Sequence, residues 1–274
     1  LRVISKMGCF VPFDDAEACF VELQNDLESF TVSIVLIPSA VHALVALTKR
    51  ICDDDKNDDS REKEVFGKVR DWVNGLLRRC ETATESCLSS LAQRGSFLEQ
   101  DEKLLSHVLY MVGELSMVGF NSQEESSRLS GNAVKKSRDD VTYPTGSEPV
   151  RGLLIRPSTR LVHLVKLLLP NTLPMLSSSV AEGEQLTPTP SALRAHAFIT
   201  LGKLCLRDES LAKESLNILA RELHRDSHSD PAVSSNCLMV MGDLCVRYTN
   251  LVDKYLPFMA ACLQAGEGRS SAVV

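Results

Sequence analysis

An all-α fold, a solenoid of stacked helix pairs, is what this sequence predicts, and three observations carry the expectation. The phrase "LGKLCLRDESLA" at 201–212 returns forty residues later as "MGDLCVRYTNLV" at 241–252. Apolar residues recur at helical spacing through most of the chain. Aromatics make up only 5% of the 274 residues, with Leu, Ala, Ser and Val abundant, which suits packed helices better than a β-sandwich.

The elements follow in order. Residues 14–28, "DDAEACFVELQNDLE", read as a helix whose acidic opening suits the positive end of the helix dipole. Pro38 opens a second, with Val41, Leu44, Val45, Thr48 and Cys52 on one stripe. The run "DDDKNDDSREKE" at 53–64 interrupts. A third helix follows, with Val65, Val69, Trp72, Val73, Leu76 and Leu77 apolar, and 98–120 reads as a fourth. Residues 121–150 are polar, Ser-rich and aperiodic, and read as a disordered linker or insertion. Helical pattern resumes at 160–176, broken by Pro170 and Pro174, and a loop follows at 177–190. Thr189 before Pro190 reads as an N-cap with proline at the first helical position. The next helix would bury Leu193, Ala197, Leu201, Leu204 and Cys205, and the one after it Ala212, Leu216, Leu219 and Leu223. "DPAVSSNCLMVMGDLCVRY" and "NLVDKYLPFMAACLQ" repeat that pair. The chain thus divides into N-terminal helical repeats at 1–120, an insertion at 121–150, a repeat region at 151–263 and an irregular tail at 264–274.

At an offset of forty, Gly202 aligns with Gly242, Leu204 with Leu244, Cys205 with Cys245, Arg207 with Arg247, Leu216 with Leu256 and Leu223 with Leu263. "MVGELSM" at 111–117 is a weaker echo. Two helices recurring at this period is the signature of HEAT and armadillo arrays, in which one hairpin cannot bury its own apolar face and neighbours stack to share a core. A mid-helix glycine costs about 1 kcal/mol against alanine. Its recurrence at one register therefore points to a close helix–helix approach. Arg207 and Arg247 close the first helix of each pair, where a cation suits the negative dipole end.

At "RAHAFITLGKLCLRDESLAK", "VMGDLCVRYTNLVDKYLP" and "RLVHLVKLLLPNTLP" the chain resembles the D-type HEAT subunits of condensin, closest to those of condensin II. The resemblance is strongest over 151–263. Ser234 departs from it, standing where the preceding repeat has Arg194, an arginine typical of HEAT repeats. The tail "AGEGRSSAVV" does not continue the repeat, and the chain, which starts "LRVISK" without an initiator methionine, reads as a fragment of a longer protein. The resemblance implies a non-catalytic scaffold without cofactors, placed beside the kleisin and the SMC ATPase subunits. It further implies a nuclear location, presence on mitotic chromosomes, a part in their condensation, and contact with chromatin or DNA. A HEAT-type adaptor with no chromatin role is the alternative.

The remaining signals are weaker. Residues 1–150 hold 17 basic and 25 acidic side chains, and residues 151–274 hold 13 and 11, so neither half is a strong polyanion-binding surface. Nine cysteines, without a CxxC pair and mostly on apolar stripes, read as buried hydrophobes in a reducing compartment. No uninterrupted apolar run reaches about 18 residues, so no transmembrane span and no membrane partner are expected. No GxSxG, Walker A or HExxH motif is present, and no small-molecule substrate is expected. In 53–64, Asp53, Asp55, Asn57, Asp59 and Glu64 fall at EF-hand spacing. Asp58 stands where that turn needs glycine, however, so an acidic connection is the ordinary reading and calcium binding the alternative. His224 and His228, four apart, stand at a helix end without a third ligand and read as a polar turn. Arg194, Lys203, Arg207, Arg247 and Lys254 are the candidate contacts for phosphates or a partner; solvated faces and dipole partners are their ordinary role. Thr187 and Thr189, each before proline, are candidate phosphorylation sites.

Overall fold

A computed structural model describes residues 11–52, 58–120, 155–171, 188–224 and 230–270, with the backbone alone at 58–61 and 265–270. Its elements are helices throughout: α1 (Phe13–Glu28), α2 (Ile37–Ile51), α3 (Asp58–Arg94), α4 (Glu99–Met117), α5 (Thr159–Leu167), α6 (Ser191–Arg207), α7 (Glu209–Leu223), α8 (Pro231–Arg247), the single turn α9 (Thr249–Val252) and α10 (Leu256–Ser270). Short 3-10 turns precede α2 and α10. The insertion expected at 121–150 lies outside the described residues.

The N-terminal helices pack α1 on α2 and α2 on both α3 and α4. All six apolar positions expected of the third helix, from Val65 to Leu77, are buried. Trp72 is anchored twice, edge-on to Phe20 at 6.5 Å between ring centroids and through its Nε1, which donates to Thr48 Oγ1 at 3.2 Å. By length and composition Ile34–Ile51 has the proportions of a membrane span. Its Ile37, Ala40, Val41, Ala43, Leu44 and Leu47 are nonetheless fully buried against protein, the pattern of a core helix. The acidic run is not wholly a connection, since from Asp58 onward it belongs to the 37-residue α3. Carboxylates in a first helical turn meet the positive dipole end, which favours starting the helix there.

Three first helices then lie side by side: α4 packs on α6, and α6 on α8. α5 docks on both α3 and α6, while α7 fills the space beside α6 and α8. The start of α5 is fixed by Ser158, whose Oγ accepts from the Leu161 N–H at 3.0 Å and donates to Glu81 of α3. Arg160 pairs with Glu85 of the same helix.

Two expectations need correction. Thr189 does not cap α6. The helix starts at Ser191 after an extended Pro190, whose carbonyl receives the Arg194 N–H at 3.0 Å. The second helix of the last pair is not continuous, but breaks into α9, a 3-10 turn and α10. Pro257 stands where α7 has Asn217. Proline has no N–H to give and its ring crowds the carbonyl four residues back, so the helix restarts there.

Candidate interaction surface

Of the repeated glycines, Gly202 sits at a close approach of two first helices, and so does Gly113 of the weaker echo; the close approach expected at Gly242 is corrected, since a Cβ there would meet nothing within 4 Å. An ideal Cβ on Gly202 would stand 2.5 Å from Val240 Cγ2 and 2.8 Å from Val240 Cγ1. A Cβ on Gly113 would meet Lys203 Cδ at 3.1 Å and Thr200 Oγ1 at 3.8 Å. Thr200 and Val240 each precede their own helix's glycine by two residues. At both junctions the glycine of one first helix faces the next helix, with Val240 filling the space at Gly202 and the Lys203 stem lying nearest at Gly113, Thr200 behind it. Around the α4–α6 junction Thr200 Oγ1 donates to the Leu109 carbonyl at 2.9 Å, and His196 stands edge-on to Tyr110 at 4.9 Å. Burial pushes the His196 pKa down. Around α6–α8, Asn236 Nδ2 donates to the Ala195 carbonyl at 3.0 Å and Tyr248 Oη to that of Leu206 at 3.0 Å.

The candidate cations do not form one ridge. Arg194 is 5% exposed. Its Nε donates to the Leu169 carbonyl at 2.8 Å and its Nη2 to Glu222 Oε1 at 2.6 Å, so it ties α6 to the end of α5 and to α7. As a contact for phosphate or a partner Arg194 is corrected: its guanidinium is consumed inside the protein. Ser234 and Cys262 occupy the equivalent positions in the last pair.

Three others gather at the C-terminal ends of the first helices. Lys203 Nζ lies 2.5 Å from Glu114 Oε1. Both Nη atoms of Arg207 donate to the Val118 carbonyl at 3.2 Å, at the open C-terminal end of α4. Phe120 lies under two guanidinium groups, Arg207 at 5.6 Å and Arg247 at 5.3 Å from the ring centroid. A second ring, Tyr248, stands 5.6 Å from Arg247. Cations here meet the negative ends of the helix dipoles and the electron-rich ring face, which accounts for arginine at the same register in both repeats. Lys254 belongs to the 3-10 turn before α10, with its ammonium 4.8 Å from the Tyr255 ring. Glu114, Val118, Phe120 and Glu222 were missed by sequence reasoning as partners of these cations. Only Glu222 had a visible signal, a carboxylate on the buried face of an amphipathic helix.

The other candidates are placed as follows. Asp53, Asp55 and Asn57 lie outside the described residues, Asp59 falls in the first turn of α3, and Glu64 pairs with Lys68 at 3.2 Å. Among the described residues no three His, Cys, Asp or Glu side chains converge to hold a metal ion. His228 lies outside them, and His224 stacks on Phe258 with centroids 3.7 Å apart. Thr187 is likewise outside; Thr189 is buried, and its N–H donates to the Asn171 carbonyl at 2.7 Å. Of the described thiols, Cys52, Cys80, Cys87, Cys205 and Cys237 are buried in the core, while Cys19, Cys245 and Cys262 are half-exposed. Burial pushes Cys205 up to about 12, and Cys87, which also faces Asp101, up to about 12.

Comparison with known proteins matches this architecture. The family model for condensin-2 complex subunit D3-like HEAT repeats matches residues 158–223, which run from the start of α5 to the end of α7. Condensin-2 complex subunit D3-L of Xenopus laevis is 31% identical over 276 residues, covering 96% of this chain and 15% of the relative. The chain belongs to the condensin-2 D3-type HEAT-repeat family. Condensin-2 complex subunit D3 of Mus musculus is 53% identical over 75 residues, 27% of this chain and 5% of the relative. Condensin-2 complex subunit CAP-D3 of Arabidopsis thaliana is 24% identical over 270 residues, 94% of this chain and 18% of the relative. The chain therefore spans less than a fifth of the length of these relatives. No solved structure gives a significant match.

Proposed function

We propose that this D3-type chain is a non-catalytic scaffold segment of condensin II, which holds the kleisin and the SMC ATPase subunits and supports mitotic chromosome condensation in the nucleus. The observation that carries the reading is the stack α4–α6–α8, whose middle helix α6 lies within residues 158–223 that match the D3-like HEAT model. A stack of this kind offers an extended, rigid surface for recognition, and ATP hydrolysis belongs to the partners. The helix-end cluster of Lys203, Arg207 and Arg247 around Phe120, with Lys254 further along, is the surface proposed for an acidic partner segment or for DNA phosphates. Charge-assisted contacts there would weaken as salt rises.

The test is immunoprecipitation of the tagged chain from mitotic cells, with imaging of the same tag. Recovery of the condensin II kleisin and SMC subunits, with the tag on condensed chromosomes, is the expected result. Recovery of neither, with a diffuse tag, would overturn the reading. Calcium binding at 53–64 is the competing reading to exclude, and calorimetry with calcium alone should then show no saturable heat.

A further inference from the structure

Helix α5 joins α3 to α6, and the residue that caps it carries an exposed hydroxyl. Ser158 is extended, with φ −60° and ψ 149°, and stands between two exposed arginines, Arg156 and Arg160. Among the described residues no other serine or threonine has a lysine or arginine both two places before it and two places after it. The hydroxyl has two partners. It accepts from the Leu161 N–H at 3.0 Å, which starts α5, and it donates to Glu81 of α3, which docks α5. Arg160 reinforces the docking through Glu85 and lies 3.9 Å from Glu81, while its side chain stays 69% exposed. The two carboxylates are less open, at 19% and 28%. The other end of α5 is held separately. Lys166 pairs with Glu214 of α7 at 3.2 Å, and the Leu169 carbonyl accepts from Arg194 Nε at 2.8 Å.

We propose that Ser158 is a phosphorylation site for a protein kinase that reads arginine on both sides of the target serine, and that the phosphate releases the start of α5 from α3. Charge patterns of this kind are an ordinary basis of kinase selection, and Arg156 and Arg160 are both open to an acidic substrate groove. Thr189 has neither feature, being buried and without a basic residue two places away. The transfer moves the terminal phosphoryl group of ATP to Ser158 Oγ; the hydroxyl proton goes to solvent and ADP leaves. The product carries about −1.5 to −2 charge and has no O–H left for Glu81. Two effects then oppose each other. Within α5 the phosphate is welcome, because it meets the positive end of the helix dipole. Towards α3 it meets Glu81, which accepts from this very hydroxyl, and Glu85 one turn further on. Arg78, one turn before Glu81, is the exposed cation of α3 set against these two carboxylates. Arg160 can serve the phosphate only by leaving Glu85. The contact with α3 is therefore lost, and α5 is held by its C-terminal end alone. Ile155 and Leu161, each 1% exposed, are the apolar side chains this uncovers. The inference stands on this junction and does not depend on the condensin reading.

The experiment treats the full chain with ATP and the catalytic subunit of a kinase selective for arginine-flanked serine. Peptide mass spectrometry then maps the phosphate and the amide hydrogen exchange. A synthetic peptide of residues 151–164 is treated in parallel. Phosphate is expected on Ser158 in both. In the chain, exchange at 162–167 should then rise about tenfold, as a doubly charged group facing a carboxylate gives even near water's dielectric. A helix this short is marginal without its packing, so undocking is read directly as lost protection. The control is Glu81→Gln/Glu85→Gln, in which the repulsion is gone and the dipole remains. Phosphorylation there should leave exchange at 162–167 unchanged or slower. A peptide that is phosphorylated where the chain is not overturns the proposal, because the Glu81 contact would then shield the hydroxyl. So does a peptide that takes no phosphate, or phosphate on Thr159 in place of Ser158. Phosphate on Ser158 with unchanged exchange overturns the release, as does equal acceleration in the glutamine variant, since the carboxylates would not be its cause.

Discussion

Gly202→Ala is the substitution on which the packing argument stands. The new methyl would lie 2.5 and 2.8 Å from the two Val240 methyl carbons and 3.2 Å from Val240 Cβ, where carbon contacts prefer roughly 3.5–4.0 Å. Valine in a helix has one strongly preferred rotamer, so the clash cannot be relieved by a swing of the side chain and α6 must move away from α8. Overpacking of this kind costs about 1–3 kcal/mol. Against it stands the gain of about 1 kcal/mol from replacing a mid-helix glycine by alanine. Gly242→Ala supplies the internal control, with the same register and the same propensity gain but nothing within 4 Å. The propensity terms cancel, so Gly202→Ala should be less stable than Gly242→Ala by about 1–3 kcal/mol. In thermal melts that is about 2–4 °C per kcal/mol at this chain length. Val240→Ala opens the space the new methyl needs. The double variant Gly202→Ala/Val240→Ala should therefore be more stable than the sum of its singles. Equal stabilisation by Gly202→Ala and Gly242→Ala would refute the reasoning.

The other predictions follow from particular contacts. Arg194→Ala should destabilise by about 3–5 kcal/mol in urea melts, because Glu222, 6% exposed, would keep a buried charge without its cation. The paired change Arg194→Met/Glu222→Met should cost far less. Phe120→Ala removes the ring beneath Arg207 and Arg247 and should cost about 1–2 kcal/mol by the same assay, from two partly exposed cation–π contacts. Asp101 is pushed up by burial, but the Leu98 N–H and the Arg94 guanidinium outweigh it and leave its pKa lowered. The stabilisation it gives is present above the unfolded carboxylate value of about 3.9 and is lost as pH falls through the lowered folded value. Hydrogen-exchange protection at the α3–α4 turn, the rate relative to the intrinsic one at each pH, should fall below about pH 4, and in Asp101→Asn that fall should disappear. Native alkylation at pH 8 should label the half-exposed Cys19, Cys245 and Cys262 before the buried Cys80, Cys205 and Cys237, whose thiols burial holds protonated.

The helix stack was legible because its cause is periodic. Gly202 and Gly242, the stripes on α6 and α7, and the closing arginines all repeat at one offset; Gly202 marks a close helix approach, whereas a Cβ on Gly242 would meet nothing within 4 Å. "MVGELSM" was legible for the same reason, and α4 does stand in line with α6 and α8. What stayed hidden lacks a period. Phe120 and Val118 lie 87 and 89 residues before Arg207, not a multiple of the forty-residue repeat, so nothing in the spacing aligns them with Arg207 or Arg247. The fate of Arg194 depended on Glu222, 28 residues away and on another helix. Charge alone cannot separate a buried clamp from a surface contact; burial does. The cap at Thr189 failed for a local reason, because an extended Pro190 places the threonine one residue too early to reach the first N–H groups. The break before α10 was written in Pro257, but the strength of the repeat on either side masked it.

The most direct measurement is binding of the purified chain to the purified condensin II kleisin at moderate salt, with the SMC subunits added in turn. The account predicts saturable retention of the kleisin, weakened by the double change Arg207→Glu/Arg247→Glu and by rising salt. A folded chain that retains neither kleisin nor SMC subunits, beside a full-length D3 relative that retains both, would contradict it.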